Sequence, residues 1–191
     1  MTYIVIDGLD ASGKSTQADR LSRYLNSRGR KFCLRLHPSS DSFFGIKARQ
    51  FLYSRGKSAH FASALFYMLD VIRSVLLFNT RKYNCVIYVR YLMGTAYLPS
   101  PLHVVAYHFF TLFVPKSNAM FFLDVSPDEA YRRISTRSDQ EMFEGLAELK
   151  KIRRKALSLA LIGKWAILDA GKPVDEVERE IRKHLVLISA L

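Results

Sequence analysis

Short apolar runs alternate with amphipathic stretches along the whole chain. Tyr3-Ile4-Val5-Ile6 is a β-rich run that ends at Asp7-Gly8. Residues 14–28 carry Ala18, Leu21, Tyr24 and Leu25 on one helical face, and Gly29 supplies the stop. Residues 32–36 are strand-like and are followed by Pro38, whereas 46–53 and 58–78 have helical spacing. Two apolar runs, 84–89 and 120–125, predict buried strands. Ser126-Pro127-Asp128-Glu129 then marks a helix start, with proline in the first turn and a carboxylate at the capping-box position. Residues 165–168 predict a last strand and 173–187 a last helix. Near-continuous apolar strands separated by helices imply an α/β fold with a parallel sheet covered on both faces. Ligands of such sheets sit at the carboxyl ends of the strands. The segments 7–16, 36–40 and 89–95, distant in sequence, are therefore expected around one mouth.

The length of 191 residues suits one domain. The most apolar stretches are 62–78, interrupted by Asp70 and Arg73, and 104–114, interrupted by His108. Neither is an unbroken run of the roughly 18–20 residues that a membrane span requires. A soluble, cytoplasmic protein without a membrane role is expected. Cys33 and Cys85 lie in strand-like segments without metal-ligand spacing, which predicts buried free thiols. The net charge of +12 calls for a partner or an explanation: nucleic acid, an anionic surface or a highly charged small substrate. Its densest run is Lys150-Lys151-Ile152-Arg153-Arg154-Lys155. No aromatic or nucleic-acid motif accompanies this run, so it predicts a solvated helix face, and nucleic acid is disfavoured.

The chemistry begins at Gly8-Leu9-Asp10-Ala11-Ser12-Gly13-Lys14-Ser15-Thr16. Here Gly-x4-Gly-Lys-Ser follows a predicted strand and opens a predicted helix, the context this phosphate-binding motif needs. Gly8 and Gly13 permit a tight loop, and the amides from Gly8 to Thr16, those of Ala11 and Ser12 included, turn toward phosphate oxygens at a helix amino end. Lys14 reaches the terminal phosphates. Ser15 offers a hydroxyl to a Mg²⁺ that the phosphates also hold. A nucleoside triphosphate and Mg²⁺ are thus expected, a pair that a switch GTPase, a motor ATPase and a small-molecule kinase all use. No guanine-reading Asn-Lys-x-Asp is present. A compact chain with basic residues near the mouth favours a small-molecule kinase.

From here the chain resembles the thymidylate kinase family, P-loop nucleoside monophosphate kinases. The resemblance runs in order through Tyr3 to Thr16, Leu36-His37-Pro38, Leu65-Phe66, Val89-Arg90-Tyr91 with Ala96-Tyr97, the stretch from Phe122 to Ala130, Arg133 with Arg137, Glu141-Met142-Phe143-Glu144 and Ile167-Leu168-Asp169-Ala170. It implies a three-layer P-loop kinase fold: a central parallel sheet of about five strands, helices on both faces, one domain over 1–191 and a short lid over about 133–145. It also implies ATP as the co-substrate with Mg²⁺, nucleotide substrates and a possible homodimer, for which the apolar stretch 62–78 is one surface. By the same resemblance Asp10 contacts the acceptor's sugar or the metal network, Phe66 stacks on the acceptor base, Arg90 holds its phosphate and Tyr97 packs near its sugar. Arg49 is a further acceptor-side residue. Arg133 and Arg137 approach the donor phosphates, so that Lys14, Arg90, Arg133 and Arg137 form the catalytic set. Each has a plainer alternative. Phe66 and Tyr97 suit a core, the arginines a solvated surface, Glu141 and Glu144 a helix start, and His37 a structural role rather than a base.

Three positions depart from the family pattern. Val89 stands where the family has an aspartate, and Asp7 or Asp10 is the candidate substitute. Asp70 stands where the family has the arginine that reads thymine. The segment from Arg90 to Tyr97 is one residue short, with Gly94-Thr95 in place of two serines. The donor half of the site keeps its pattern and the acceptor half does not. Three readings follow: a kinase for dTMP or a related monophosphate, a P-loop kinase for another small acceptor, and a nucleotide-binding protein with weak or lost activity.

Overall fold

The computed structural model describes residues 2–54, 57–78, 82–136 and 145–188. Five strands, β1 (Thr2–Gly8), β2 (Phe32–Leu36), β3 (Cys85–Val89), β4 (Ala119–Asp124) and β5 (Ala166–Asp169), form one parallel sheet in the order β2-β3-β1-β4-β5. Seven helices flank it: α1 (Lys14–Ser27), α2 (Phe43–Leu52), α3 (Lys57–Phe78), α4 (Leu102–Phe110), α5 (Pro127–Ser135), α6 (Leu146–Ile162) and α7 (Val174–Leu187). A 3-10 turn spans Met93–Tyr97. All five residues of β3 are buried, so side chains on both of its faces lie in the core. That is why this strand shows no alternation in the sequence.

The register places the functional loops. Ile6 lies beside Val89, and Leu36 beside the same Val89 from the other side. The chain therefore leaves β1, β2 and β3 at one level, and the three segments expected at one mouth are neighbours. Gly8 ends β1 opposite Leu123 with φ 151°. A Cβ there would come within 2.5 Å of the Leu123 carbonyl oxygen, so both the backbone and the space require glycine.

Helix α2 starts at Phe43, earlier than the apolar spacing indicates, because Ser42 caps it by accepting from the Gly45 amide at 2.8 Å. The apolar stretch 104–114, left without an assigned structure by its pattern, belongs largely to α4. Ser126 caps α5 with Pro127 in the first turn, as its sequence indicates. The basic run in α6 is more than a solvated face. Arg153 makes two 2.7 Å bonds to Asp124, Lys155 donates to the Leu98 carbonyl at 2.7 Å, and Ile152 is buried. A guanidinium matches a carboxylate in two parallel bonds, and this pair ties α6 to the end of β4. Cys85 is buried, Cys33 is half-buried, and both are free.

By length and composition Phe61–Phe78 would suffice to cross a membrane, with a mean hydropathy of 1.7. Within the fold 44% of this window is buried, so α3 packs one side against the core. Met68, Val71 and Val75 are buried, while Phe61, Leu65, Leu76 and Leu77 remain exposed. The acid within it explains the arrangement. Asp70 is fully buried and accepts from the Ser39 amide and the Ser39 hydroxyl, both at 2.7 Å, and from the Ser42 hydroxyl. It thus holds the segment after β2 and the cap of α2 against α3. Replacing it leaves the Ser39 amide and the Ser42 hydroxyl buried without an acceptor, each costing about 1–3 kcal/mol, and the Ser39 hydroxyl with only the Ser42 oxygen at 3.1 Å. Asp70→Ala is expected to lower stability by about 3 kcal/mol or more, measured by denaturant unfolding; a loss below about 1 kcal/mol would refute this anchoring role.

Candidate active site

The loop between β1 and α1 takes its shape from three left-handed residues, Gly8, Ala11 (φ 59°) and Gly13 (φ 89°). The Ser12 amide closes it onto the Leu9 carbonyl at 3.1 Å. Gly13 caps α1 without a side chain, so the first-turn amides of Lys14, Ser15 and Thr16 carry the positive end of the helix toward the loop. Lys14 is buried, and its ammonium donates to the Gly8 carbonyl at 3.0 Å and to the Leu9 carbonyl. Ser15 and Thr16 are exposed in the first turn. The Ser12 hydroxyl is buried with no hydrogen-bond partner among the described residues.

A cleft opens beside this loop, lined by Asp7, Asp10, Pro38, Ser63, Tyr67, Arg90 and Tyr97 together with Gly8, Leu52, Ala64 and Gly94. Asp10 is its electrostatic centre. Its carboxylate accepts from Arg90 and, at 2.7 Å, from the Tyr97 hydroxyl, and it lies 3.8 Å from the Lys14 ammonium. Burial pushes this carboxyl up, yet the Arg90 and Lys14 charges and the Tyr97 and Arg90 hydrogen bonds outweigh burial and hold it well below the usual carboxylate range. Asp7 is balanced the other way. Burial dominates and raises it, although the Tyr91, Gly8 and Met93 amides donate to it at 2.6, 2.9 and 3.1 Å and Lys14 is near. Asp7 thereby binds the segment after β3 to the end of β1. Val89 is 3% exposed, a core residue of β3, and the carboxylates at the cleft are Asp7 and Asp10.

Arg49 is exposed and donates to the Pro38 carbonyl at 2.9 Å, at the rim. Arg133 is tied to Glu129 at 2.7 Å and spans from the Ala11 carbonyl at 3.1 Å to the Ala170 carbonyl at 3.2 Å, joining α5 to the phosphate loop and to the end of β5. Arg137, Glu141, Glu144 and most of the expected lid lie outside the described residues. Phe66 is not brought to the cleft. Its ring stacks on Phe51 (5.7 Å, 12°) and meets Phe43 and Phe44 between α2 and α3. Successive helix residues point about 100° apart, so when Ser63, Ala64 and Tyr67 share the cleft face, Phe66 turns to α2. Asp70 likewise faces Ser39 and Ser42 and is not among the cleft's lining residues.

The ring that faces the cleft from α3 is Tyr67, which sequence reasoning passed over. Its hydroxyl donates to the Tyr91 carbonyl at 3.1 Å, and it lies so close to Gly94 that a Cβ there would be 2.2 Å from its Cε1. The unusual Gly94 was the available signal: it makes room for this ring.

His37, at the end of β2, is 2% exposed, and burial lowers its imidazole to about 4. The unfolded chain, with its histidine near 6.5, therefore binds a proton that the folded chain refuses between pH 6.5 and 4. Stability is full above that window and falls as the pH drops through it, by on the order of 3 kcal/mol. Asp7, raised in the folded state, acts in the opposite direction. It is common to wild type and a His37→Asn variant and cancels in their difference. Unfolding measured at pH 7 and pH 4 should show the wild type losing that much more than His37→Asn; parallel losses would mean that His37 is not buried as a neutral ring.

Comparison with known proteins agrees with this geometry. The family model described as Thymidylate kinase matches residues 6–181. A probable thymidylate kinase of Pyrococcus abyssi is 29% identical, with 94% of this chain and 93% of that protein covered. A thymidylate kinase of Thermosipho africanus is 28% identical, with 96% and 98% covered. A solved structure of thymidylate kinase from Candida albicans superposes with a TM-score of 0.77 at 20% identity, covering 99% of this chain and 92% of that one, which supports the fold. The phosphate loop at the end of β1, the arginine at the end of β3 and these likenesses lead to one assignment: the chain belongs to the thymidylate kinase family, whose members are ATP-dependent phosphotransferases.

Proposed function

We propose that this protein transfers the γ-phosphoryl group of ATP to dTMP or a closely related nucleoside monophosphate. The observation that carries the reading is Asp10, a single buried carboxylate bonded to Arg90 and Tyr97 and 3.8 Å from Lys14. It couples the loop that binds the donor to the arginine that would hold the acceptor. In this reading Gly8 to Thr16 bind the ATP phosphates, with Lys14 at the transferring group. Arg90 presents its guanidinium to the acceptor phosphate, Tyr97 lies along the sugar, and Arg133 steadies the loop through the Ala11 carbonyl. An acceptor phosphate oxygen forms the new bond to the γ-phosphorus as the bond from that phosphorus to the β,γ-bridging oxygen breaks and ADP leaves. The chain's part is positioning and charge stabilisation.

Mg²⁺ belongs to the proposal and fits the donor set. It keeps several waters and takes few protein ligands besides phosphate oxygens. The exposed Ser15 hydroxyl in the first turn of α1 would supply one. When bound, the ion neutralises charge developing on the phosphates. A cytoplasmic setting and a homodimer are part of the same reading, supported by the free thiols Cys33 and Cys85 and by the exposed apolar Phe61, Leu65 and Leu76 on α3.

A second reading, transfer to a different small acceptor, is favoured by α3. Its faces toward the cleft are Ser63, Ala64 and Tyr67, and the Ser63 hydroxyl already donates to the Ala48 carbonyl at 3.1 Å. A panel of nucleoside monophosphates with ATP and Mg²⁺ separates the readings. Diphosphate formed from dTMP supports the first. Product only from another acceptor supports the second. ATP binding with no product from any acceptor refutes both. Lys14→Ala should lower turnover at least about 100-fold, as loss of a charge aimed at the transferring group does. Asp10→Asn should lower kcat/KM for the monophosphate about 10-fold or more, by releasing Arg90. Unchanged rates in either variant would contradict the roles assigned here.

A further inference from the structure

We propose that His37 is a positioning residue for the acceptor arginine, acting through the backbone of Arg90 and not through a proton of the substrate. The inference rests on the proposed role of Arg90. It starts from a strained backbone. Arg90 has φ 61°, a left-handed conformation that a side-chain-bearing residue holds only when its surroundings fix it.

Three ties do so. The Arg90 amide donates to the Ile6 carbonyl at 3.1 Å, and its guanidinium bonds to Asp10. The Arg90 carbonyl lies 2.9 Å from His37 Nδ1. A carbonyl only accepts, so Nδ1 carries the proton and the neutral ring has none on Nε2. Nε2 is buried and has no hydrogen-bond partner among the described residues, and His37 does not line the cleft. A general base needs reach to the substrate, and this nitrogen has none.

The ring is itself held firmly. The His37 amide donates to the Val89 carbonyl at 3.0 Å. The ring stacks on Tyr88 at 6.0 Å and 14°, and meets the edge of Tyr67 at 6.5 Å and 78°. The next amide along, that of Tyr91, is fixed by Asp7 at 2.6 Å. His37 and Asp7 thus grip the two sides of one peptide unit, the Arg90 carbonyl and the Tyr91 amide. That unit sets the direction in which the Arg90 side chain leaves the strand. Asparagine can place its amide nitrogen near the position of histidine Nδ1, whereas leucine offers no donor.

Two measurements test this. Nitrogen NMR of the wild type should show His37 neutral and protonated on Nδ1, and His37→Leu should broaden or shift the Arg90 guanidinium signals. An Nε2-protonated ring, or Arg90 signals unchanged in the variant, would overturn the proposal whatever the acceptor proves to be. In steady-state kinetics with the acceptor found by the panel, His37→Leu should raise KM for the monophosphate about 10-fold, the scale of one lost hydrogen bond. KM for ATP should stay within about 2-fold, and His37→Asn should return the monophosphate KM to within about 3-fold of wild type. In an Arg90→Ala background His37→Leu should add nothing further. Equal changes in both KM values, no rescue by asparagine in a variant that melts like wild type, or an additive effect on Arg90→Ala would show a merely structural ring. Absence of wild-type transfer to any acceptor would sink the proposed function, while the NMR result still decides the geometry of Arg90.

Discussion

The mouth of the sheet depends on one buried carboxylate held in place by opposite charge. Asp10 is out of water, and an isolated ion there would be unfavourable by several kcal/mol. Arg90 and Lys14 make the ionised form the stable one, and the Tyr97 hydroxyl takes its second oxygen. These partners come from the end of β3, the start of α1 and the 3-10 turn, so a single charge balance fixes three separate segments. The parallel register brings those segments to one level. The local charge balance then selects which side chains face one another.

Much of this was legible in the chain. The order of strands and helices followed from apolar runs and helical spacing. The phosphate loop was legible because its glycines, lysine and serine stand at fixed spacing between a strand and a helix. What the pattern did not reveal was direction around a helix axis. Phe66 and Tyr67 are adjacent aromatics in an apolar helix, and nothing in their own identities says which faces the cleft. The answer lies in partners remote in sequence, Phe51 on one side and Gly94 on the other. Asp70 was hidden for the same reason. An acid in an apolar helix announces a polar partner, yet Ser39 and Ser42 reach it only through tertiary packing. The basic run of α6 reads as a solvated face, and Lys150, Lys151 and Arg154 are exposed; charge density in sequence does not show that Arg153 and Lys155 reach Asp124 and the Leu98 carbonyl.

The two halves of the site are built by different means. On the side proposed for the donor the main chain does the work: left-handed turns, amides at a helix start and carbonyls that hold Lys14. Such a surface needs glycine where the backbone turns to positive φ, as at Gly8 and Gly13, which accounts for its regular pattern here. On the side proposed for the acceptor, side chains do the work through a relay of contacts from Asp7 and His37 to the peptide of Arg90, and from Tyr67 to Gly94. There the positions unlike the family pattern, Asp70, Val89 and Gly94, touch the segments of that relay: Asp70 accepts from the Ser39 amide, the Val89 carbonyl accepts from the His37 amide, and Gly94 makes room for Tyr67.

The Asp70 anchor has a mechanical consequence. By joining α3 to the segment after β2 and to the cap of α2, it makes that wall of the cleft a stiff bracket and not a set of independent fingers. A molecule entering has to match the bracket's shape as it stands, so selectivity on this side is that of a mould. The phosphate loop has a brace of its own, Arg133, which ties it through the Ala11 and Ala170 carbonyls to α5 and to the end of β5.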